Sequence, residues 1–402
     1  MPATYDFIFA GGGMSALLLA TLIRREPTLD SCSILIVEPR TDVPESKNIC
    51  FWDSQLPDLS LNLKGAWNKL SFGGTGGLIT RPIAPYTYYC FDAANLQRTL
   101  TAMLKKSNRV DFIQDRVEAV NNGAVFLQKT GLTFQATQTV FDSIPDRSMP
   151  VLLWQHFVGW EIRVLNEVTF DPASAMLMDF RVSQSEGPAF MYILPFSQKT
   201  ALLEITFMSP KTHSATVYEH YLHEYLHKNF PDIRYEIAQT EGGKIPMHQA
   251  QQSPSLPNHV FLGTKGGLSK PTTGYTFLNS YEHAQRIVRQ LTGNQESRVI
   301  AKSRFAFYDK LLLRIMRTQA TSVKPIMEAL FYRNSFPLLL TFLAEKTTLI
   351  QEAKLFCTLP WKPFLTALAH EYLRRSPRNE AQSGIDSAIL PAPRLKVDRN
   401  LG

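Results

Sequence analysis

The chain of 402 residues carries a net charge of +7, with 44% hydrophobic and 19% charged residues. That balance describes an ordinary folded protein with a slightly under-charged surface, long enough to bury a large core and to form two or three domains. The positive charge suits an anionic membrane surface, a phosphate-rich cofactor or a nucleic acid. The basic residues are scattered and no nucleic-acid motif appears, which leaves nucleic acid the least favoured partner. The four cysteines, Cys32, Cys50, Cys90 and Cys357, form no CxxC pair, so neither a disulfide framework nor a zinc site is expected and a reducing cytoplasm fits. The apolar start has no basic leader and carries Asp6 before a glycine turn, unlike a signal peptide. The uncharged stretch Ser335 to Ala344 is too short to span a bilayer, so any membrane contact is expected to be peripheral.

In chain order, Tyr5 to Ala10 is a short apolar run suited to a buried parallel strand, Gly11-Gly12-Gly13 is a turn, Ser15 to Arg25 reads as a helix, and Ile34 to Val37 as a second strand ending at Glu38. These make one βαβ unit with a dinucleotide fingerprint at Gly11, Gly12, Gly13, Ala16 and Glu38. Gly11 permits the tight turn out of the strand, Gly13 lets a pyrophosphate approach the backbone at the helix N-terminus, and Ala16 is the small residue that lets helix and strand pack closely. Glu38 lies 22 residues past Ala16, near the ~20 expected of the carboxylate that binds the adenosine ribose hydroxyls. An acid there speaks against a bound 2′-phosphate and leaves FAD or NAD.

Residues 40–91 read as loop, rich in Pro, Gly and aromatic residues and punctuated by GGTGG at Gly73 to Gly77. Asp92 is placed to cap a helix reaching about Lys106. Strand-like runs follow at 110–113, 117–120 and 124–127, with Asn122-Gly123 as a hairpin turn, and another at 132–141. After Pro145 the runs 152–164, 176–182, 189–195 and 201–208 predict an antiparallel sheet. A helix is expected over 215–229. The chain then returns through GGKIPM at 242–247 to a short strand at 259–262, the loop GTKGGLSKPTTGY at 263–275 and a helix at 277–291. The last hundred residues read as helical and aromatic-rich, with a loose tail from Ser376. The resulting division is a cofactor-binding part in 1–150, an antiparallel substrate domain in 151–258, a return to the cofactor domain in 259–300 and a helical region in 301–402.

One motif competes with this organisation. His223-Glu224-Tyr225-Leu226-His227 is a literal HExxH on a plausible helix, the pattern that in zinc peptidases sets two imidazoles on one face with the glutamate as general base. No convincing third ligand stands out, although Glu236 and Glu241 are near in sequence. With Glu219, His220 and Lys228 alongside, the stripe reads as a solvent-facing helix face, and no metal site is assigned.

Three further stretches carry a resemblance. They are GWEIRV at Gly159 to Val164 with the preceding Gln155 and Phe157, LLEITF at Leu202 to Phe207, and GTKGGLSKPTTGYTF at Gly263 to Phe277. With the fingerprint, they make the chain similar to the flavin-dependent lycopene cyclases of carotenoid biosynthesis from the N-terminus to about residue 290. The resemblance implies an α/β protein with a Rossmann-like, doubly wound FAD/NAD(P)-binding domain, an inserted antiparallel β substrate domain and a helical C-terminal segment. It implies an isomerase (intramolecular lyase) of the lycopene β-cyclase type, which converts acyclic ψ-end groups to β-ionone rings (γ-/β-carotene) with reduced FAD and no net redox change. NAD(P)H is the implied reductant, and a cytoplasmic protein attached peripherally to a membrane the implied location. In relatives the third stretch ends at a helix N-terminus beside the flavin ring, which makes Gly263, Gly267, Pro271 and Gly274 cofactor residues. Gly263 is followed by Thr264, as in cyclases, rather than by the Asp of many flavin hydroxylases. Glu204 matches the first Glu of the family's acidic motif, the one required for cyclisation; the second acid often found there is replaced by Ile205.

The chemistry gives Glu204 a reason. Lycopene has no polar handle, so its reaction must begin by protonating an end-group alkene. Glu204, on a half-buried strand between Leu203 and Ile205, is the candidate general acid or base, because burial disfavours its charged form. The cation formed needs a negative partner in a low-dielectric site, a role the resemblance gives to reduced, anionic flavin. Trp52, Tyr86, Tyr88, Tyr89 and Tyr275 are candidates for cation–π stabilisation. Glu161, Asp179 and Glu241 lie in or beside apolar runs and read first as paired structural carboxylates. Residues 335–350 and 359–368 are either helix core or an apolar surface with flanking lysines that docks on the membrane holding the substrate. The alternatives are a flavin monooxygenase or prenyl-chain reductase, a zinc hydrolase built on HExxH, and a non-catalytic, membrane-attached nucleotide-binding protein.

Overall fold

In the computed structural model, which describes residues 2–40, 46–59, 61–145, 151–247, 258–293 and 304–374, β1 (Ala3–Ala10), α1 (Met14–Arg25) and β2 (Ile34–Val37) form the expected βαβ unit. The second half of β1 and all of β2 are 0% exposed, as parallel strands covered on both faces should be. β1 pairs in parallel with β2 and with β11 (Thr133–Asp142). β8 (Val110–Ile113) extends the sheet beyond β2, and β17 (His259–Phe261) joins β11. The hairpin of β9 (Val117–Asn121) and β10 (Ala124–Leu127) continues the sheet antiparallel. Its turn residues Asn122 and Gly123 have positive φ, 48° and 78°, as a two-residue turn requires. Alternation along β1 sends Phe7 and Phe9 into a cluster with α1, α2 (Ala93–Lys105) and α4 (Phe277–Leu291), and Ile8 and Ala10 into a second cluster with Val125 and Leu127. Asp92 caps α2 as expected, its side chain accepting from the Asn95 N–H at 2.8 Å.

The second sheet runs β16 (Tyr235–Met247), β12 (Leu153–Val164), β15 (Thr200–Ser209), β14 (Ala189–Pro195), β13 (Ala175–Asp179), β5 (Lys69–Gly74) and β6 (Gly77–Pro82). Its pairs are antiparallel except β13 with β5. The period of two divides the strands between two cores. Leu203, Ile205 and Phe207 of β15 pack with Tyr221 and Leu222 of α3 (Ala215–Asn229). Leu202 and Met208, on the opposite face, pack with the C-terminal helices α5 (Arg304–Thr318), α6 (Val323–Arg333), α7 (Phe336–Leu343) and α8 (Leu349–Phe356). α9 (Trp361–Arg374) lies against α5, where Ala367 packs with Leu311 and Ile315. A third small sheet, β3 (Asn48–Asp53), β7 (Thr87–Asp92) and β4 (Leu63–Trp67), contributes to both cores.

Two expectations are corrected here. Residues 40–91 read as loop, yet they hold β3 to β7; GGTGG is the β5–β6 hairpin, with Gly77 at φ 91°. β5 and β6 pair in the second sheet rather than in the sheet of β1 and β2. GGKIPM reads as a connection but is the end of β16, where two glycines and Pro246 are tolerated because β16 is an edge strand. The loose tail expected from Ser376 lies outside the described residues.

The loop at 263–275 is pinned to the helical region by buried ions. Lys270 Nζ lies 3.0 Å from Asp309 Oδ2 and 2.8 Å from Glu345 Oε1, and Thr272 Oγ1 donates to Asp309 Oδ1 at 2.7 Å. Burial disfavours the lysine charge, but the two carboxylates outweigh it and hold the Lys270 pKa above its ordinary value. Asp309→Ala leaves that charge with only the 40% exposed Glu345, so it is expected to cost about 3 kcal/mol, whereas Glu345→Ala costs under about 1 kcal/mol. Denaturant midpoints of the two variants measure the difference.

Candidate active site

The site begins where β1 meets α1. Gly11 has φ 95°, and a Cβ on it would lie 2.6 Å from Ser143 Oγ. A Cβ on Gly12 would lie 2.9 Å from Glu38 Cβ, while one on Gly13 would meet nothing within 4 Å. The first turn of α1 has no acidic residue and Gly13 offers no capping side chain, so its amide end faces open space, the setting in which helix N-termini bind anions. Ala16 is 0% exposed. Glu38 is held beside the turn: its Oε2 accepts the Gly12 N–H at 2.9 Å and its Oε1 accepts from Arg40 Nε at 2.9 Å.

The glycine-rich loop comes to the same place. Gly263, at φ 57°, brings its Cα so close to α1 that an added Cβ would lie 3.1 Å from Ser15 Oγ. Ser15 in turn bonds Ser280 of α4 at 3.0 Å. Gly267 and Gly274 have φ of 71° and 72°, and a Cβ on Gly274 would press on Ile245 Cδ1 at 2.9 Å. Pro271 is half-buried and does not line the cavity described below, whereas its neighbours Lys270 and Thr272 do. Free helix amides, an open Gly13 face and a carboxylate at the end of the adjacent strand fit an adenine dinucleotide such as FAD.

From this point a cavity of about 470 Å³ runs between the second sheet and the C-terminal helices. Met14, Ser15 and Gly274 to Phe277 border one part of it; Phe305, Phe342, Phe356 and Phe364 border another. Glu204 stands in its wall. The alternation of β15 turns Leu203 and Ile205 away to the α3 side and turns Leu202, Glu204 and Thr206 to the cavity. Thr206 Oγ1 donates to Glu204 Oε1 at 3.0 Å. Burial, reinforced by the negative Glu241, pushes the Glu204 pKa well above the ordinary 4.5. What surface Glu204 retains faces the cavity, and the upward shift favours its acid form.

Glu241 is on the same wall. Gly159 of β12 lies opposite Glu204 on one side and opposite Glu241 on the other. A Cβ on Gly159 would be 3.2 Å from Glu204 Cβ and 3.4 Å from Glu241 Cγ, so the missing side chain is what lets the two acids approach. Glu241 is 6% exposed, and its Oε2 accepts from the backbone N–H of Asn48 at 2.9 Å and from Asn48 Nδ2 at 3.0 Å. Burial raises its pKa, while the Asn48 donors and the Lys64 charge pull it back.

Tyrosines complete the polar wall. Tyr192 stands opposite Glu204 across β14 and β15, and its hydroxyl is 2.8 Å from that of Tyr88. Tyr275 meets Trp52 edge-on, with centroids 4.5 Å apart. Burial raises the pKa of all three phenols, so they remain neutral.

Of the aromatic candidates, Tyr88 and Tyr275 reach the cavity; Trp52 stands behind Tyr275, Tyr86 bonds Thr341 at 3.0 Å, and Tyr89 packs on Phe51 at 5.3 Å. Glu161 is bound to Lys64 at 2.5 Å, and the buried Asp179 to Arg181 and Tyr225, each at 2.7 Å, in structural roles. Glu241 departs from the reading as a structural ion pair, because it faces the cavity and its direct partner is Asn48. Sequence reasoning missed Tyr192, Thr206 and Asn48. Tyr192 was within reach, since Phe190, Tyr192 and Leu194 alternate on β14 as Leu202, Glu204 and Thr206 do on β15. The HExxH residues His223, Glu224 and His227 are on the exposed face of α3; His223 packs on Trp160 and pairs with Tyr235 at 3.1 Å. Glu236 pairs with Arg163 at 3.0 Å, and Glu241 is on the other face of the sheet, so neither converges on the motif.

Compared by sequence with curated proteins, the chain matches none. Among solved structures it is similar to a geranylgeranyl bacteriochlorophyll reductase-like protein from Thermoplasma acidophilum, with a TM-score of 0.57 and 14% identity over 96% of this chain and 100% of that one. It is similar to PqsL, a probable FAD-dependent monooxygenase from Pseudomonas aeruginosa, at 0.54 and 14% over 80% and 96%, and to the flavin-dependent brominase Bmp2, at 0.52 and 12% over 93% and 100%. At these identities the likeness is one of fold, a Rossmann-like FAD-binding fold with an added sheet. The profile of a family described as lycopene cyclase protein matches residues 6–369, which include the fingerprint, the Glu204 strand, the glycine-rich loop and the C-terminal helices. The chain belongs to the lycopene cyclase family.

Proposed function

We propose that the protein closes the acyclic ψ-end groups of lycopene, or of a related acyclic carotenoid, to β-ionone rings, acting as an isomerase with reduced FAD. The observation that carries this reading is the placement of a carboxyl group, Glu204, in the wall of an apolar cavity that also borders the dinucleotide fingerprint, where burial favours its acid form. A hydrocarbon offers no hydrogen-bonding group, so its binding comes from apolar area, at about 25 cal/mol per Å². Glu204 gives its proton to the terminal alkene, the second alkene closes on the resulting cation, and a ring carbon then loses a proton. One proton enters and one leaves, and no electron is gained or lost. Tyr88, Tyr192 and Tyr275 offer π faces to the cation and, as neutral phenols, no phenolate to trap it. The amide end of α1 and Glu38 would hold the dinucleotide, with the loop at 263–275 beside its ring. Reduced flavin, when bound, supplies negative charge near the cation, and NAD(P)H is the reductant that maintains it.

Under anaerobic conditions with the flavin reduced, the wild-type protein is expected to convert lycopene in liposomes to a product of unchanged mass. Glu204→Gln is expected to lose at least about a hundredfold in rate while still binding FAD. Consumption of one NAD(P)H per substrate would assign the protein to the oxygenases or prenyl-chain reductases instead. Because the acid form of Glu204 is the active one and its pKa is raised, activity is present below that pKa and lost as pH rises through it. The alkaline limb of the rate profile should therefore stand well above the 4.5 of an ordinary glutamate.

The same reading brings the protein to a membrane surface, where its substrate dissolves. No helix among the described residues is long and apolar enough to cross a bilayer. Leu349, Ile350, Trp361 and Leu365 of α8 and α9 are nevertheless 67%, 72%, 61% and 58% exposed, on helices whose Phe356 and Phe364 line the cavity. Burying one such side chain contributes about 1.5–3 kcal/mol. Replacing Trp361 and Leu365 together by Glu is expected to lower flotation with liposomes at least tenfold and to leave turnover of detergent-dispersed substrate intact.

A further inference from the structure

Glu204 has no acidic neighbour in sequence, since Ile205 follows it, but the sheet supplies one. Three adjacent strands present Glu204, Gly159 and Glu241 in one row on the cavity face. Both acids come within 3.4 Å of the point where a Gly159 Cβ would stand, and both line the cavity. Their surroundings differ. Burial and the nearby Glu161 charge leave the Glu241 pKa raised. Its Oε2 nevertheless receives two N–H bonds from Asn48, with Lys64 nearby, and these donors and that charge favour its ionised form as nothing comparable does for Glu204. Glu204 receives one hydroxyl, from Thr206. The other titratable groups facing Glu204 are Cys50 of β3, Tyr88 of β7, Tyr192 of β14 and Tyr275 of the loop; further along the cavity, Lys270 is committed to Asp309 and Glu345. Like charges in one dry site cannot both form cheaply, and environments that separate two carboxyls assign their roles.

We propose that Glu241 is a positioning residue for the proton of Glu204: as the ionised member of a carboxyl pair across Gly159, it keeps Glu204 in the acid form between turnovers. This rests on the cyclase reading and supplies that reading with its return step. The O–H bond of Glu204 breaks as the alkene C–H bond forms. Glu204 is then a second carboxylate beside Glu241, and the repulsion makes it a stronger base for the proton leaving the ring carbon. The Glu204 O–H bond re-forms, and Glu241 ends as it began.

The test uses the full-length, FAD-loaded protein and two isosteric variants. Glu241→Gln keeps the volume and one oxygen for Asn48 but removes the charge; Thr206→Val removes the hydroxyl that favours ionised Glu204. Infrared difference titration without substrate follows the carboxyl C=O band that disappears in Glu204→Gln. Its midpoint is expected to fall by about one pH unit or more in Glu241→Gln and to rise in Thr206→Val, and the alkaline limb of the cyclisation rate should move in the same two directions. An unmoved midpoint in Glu241→Gln, with the fold intact by flavin absorbance and circular dichroism, overturns the proposal, because a purely structural role for Glu241 leaves the Glu204 proton where it was. Opposite infrared shifts in a protein that leaves lycopene untouched would uphold the pair and reject the cyclase reading.

Discussion

A carboxyl group facing an apolar cavity, with a single hydroxyl as its hydrogen-bond donor, is the constraint on which the rest of this structure turns. Ionised, Glu204 would bear a desolvation cost of several kcal/mol with no cation beside it; neutral, it is tolerated. The fold keeps it neutral by geometry. β15 is covered on one side by α3 and on the other by the C-terminal helices, and its period of two points Glu204 at a gap left in the packing on the helical side. Gly159 contributes by having no side chain, which admits a second negative group instead of a methyl.

That gap exists because three parts of the chain meet without filling it. The cofactor sheet contributes the N-terminus of α1, the second sheet contributes β12, β14, β15 and β16, and the helical region closes the far side with phenylalanines. The loop at 263–275 links them. Its glycines approach α1 and Ile245, and Lys270 and Thr272 grip Asp309 on α5. An ion pair this well buried adds little net stability over an apolar contact, but each partner is costly to leave alone, so it favours one docking of loop on helix over others. If the wall holds a hydrocarbon and a cation, as proposed, it gains more from a fixed shape than from strong contacts.

Local signals made the cofactor end legible. The strand, the glycines, α1, Ile34 to Val37 and Glu38 are contiguous, and each carries a backbone requirement that a short window reveals, as the positive φ of Gly11 illustrates. Glu204 was reachable through the resemblance of LLEITF to the family's acidic motif; as a lone acid on a half-buried strand it reads first as a salt-bridged carboxylate. What stayed hidden is what long-range pairing decides. β3 and β4 look like loop because their shared partner β7 comes later in the chain, and β5 pairs on one side with β13 about a hundred residues away. Asn48 and Glu241, 193 residues apart, meet only once β3 is laid against the second sheet. Glu241 read as a structural acid because it lies beside an apolar run, and GGKIPM after it read as a connection, whereas in β16 Gly242 and Gly243 continue an edge strand opposite Val158 and Phe157.

The charges around the cavity follow one rule, which connects the architecture to the chemistry. Lys270 is matched by Asp309 and Glu345, Glu161 by Lys64, and Glu241 by the Asn48 donors. The three tyrosines are held neutral by burial. Among the described residues Glu204 has Thr206 alone as a hydrogen-bond donor, and an acid with no cation beside it to stabilise its conjugate base favours its protonated form. On the proposed cyclase reading the acceptor is an alkene, a far weaker base than a carboxylate, so the transfer depends on negative charge nearby that stabilises the cation it creates. The largely apolar wall offers the proton few other acceptors, and in that reading the end group of the hydrocarbon is the one brought within reach.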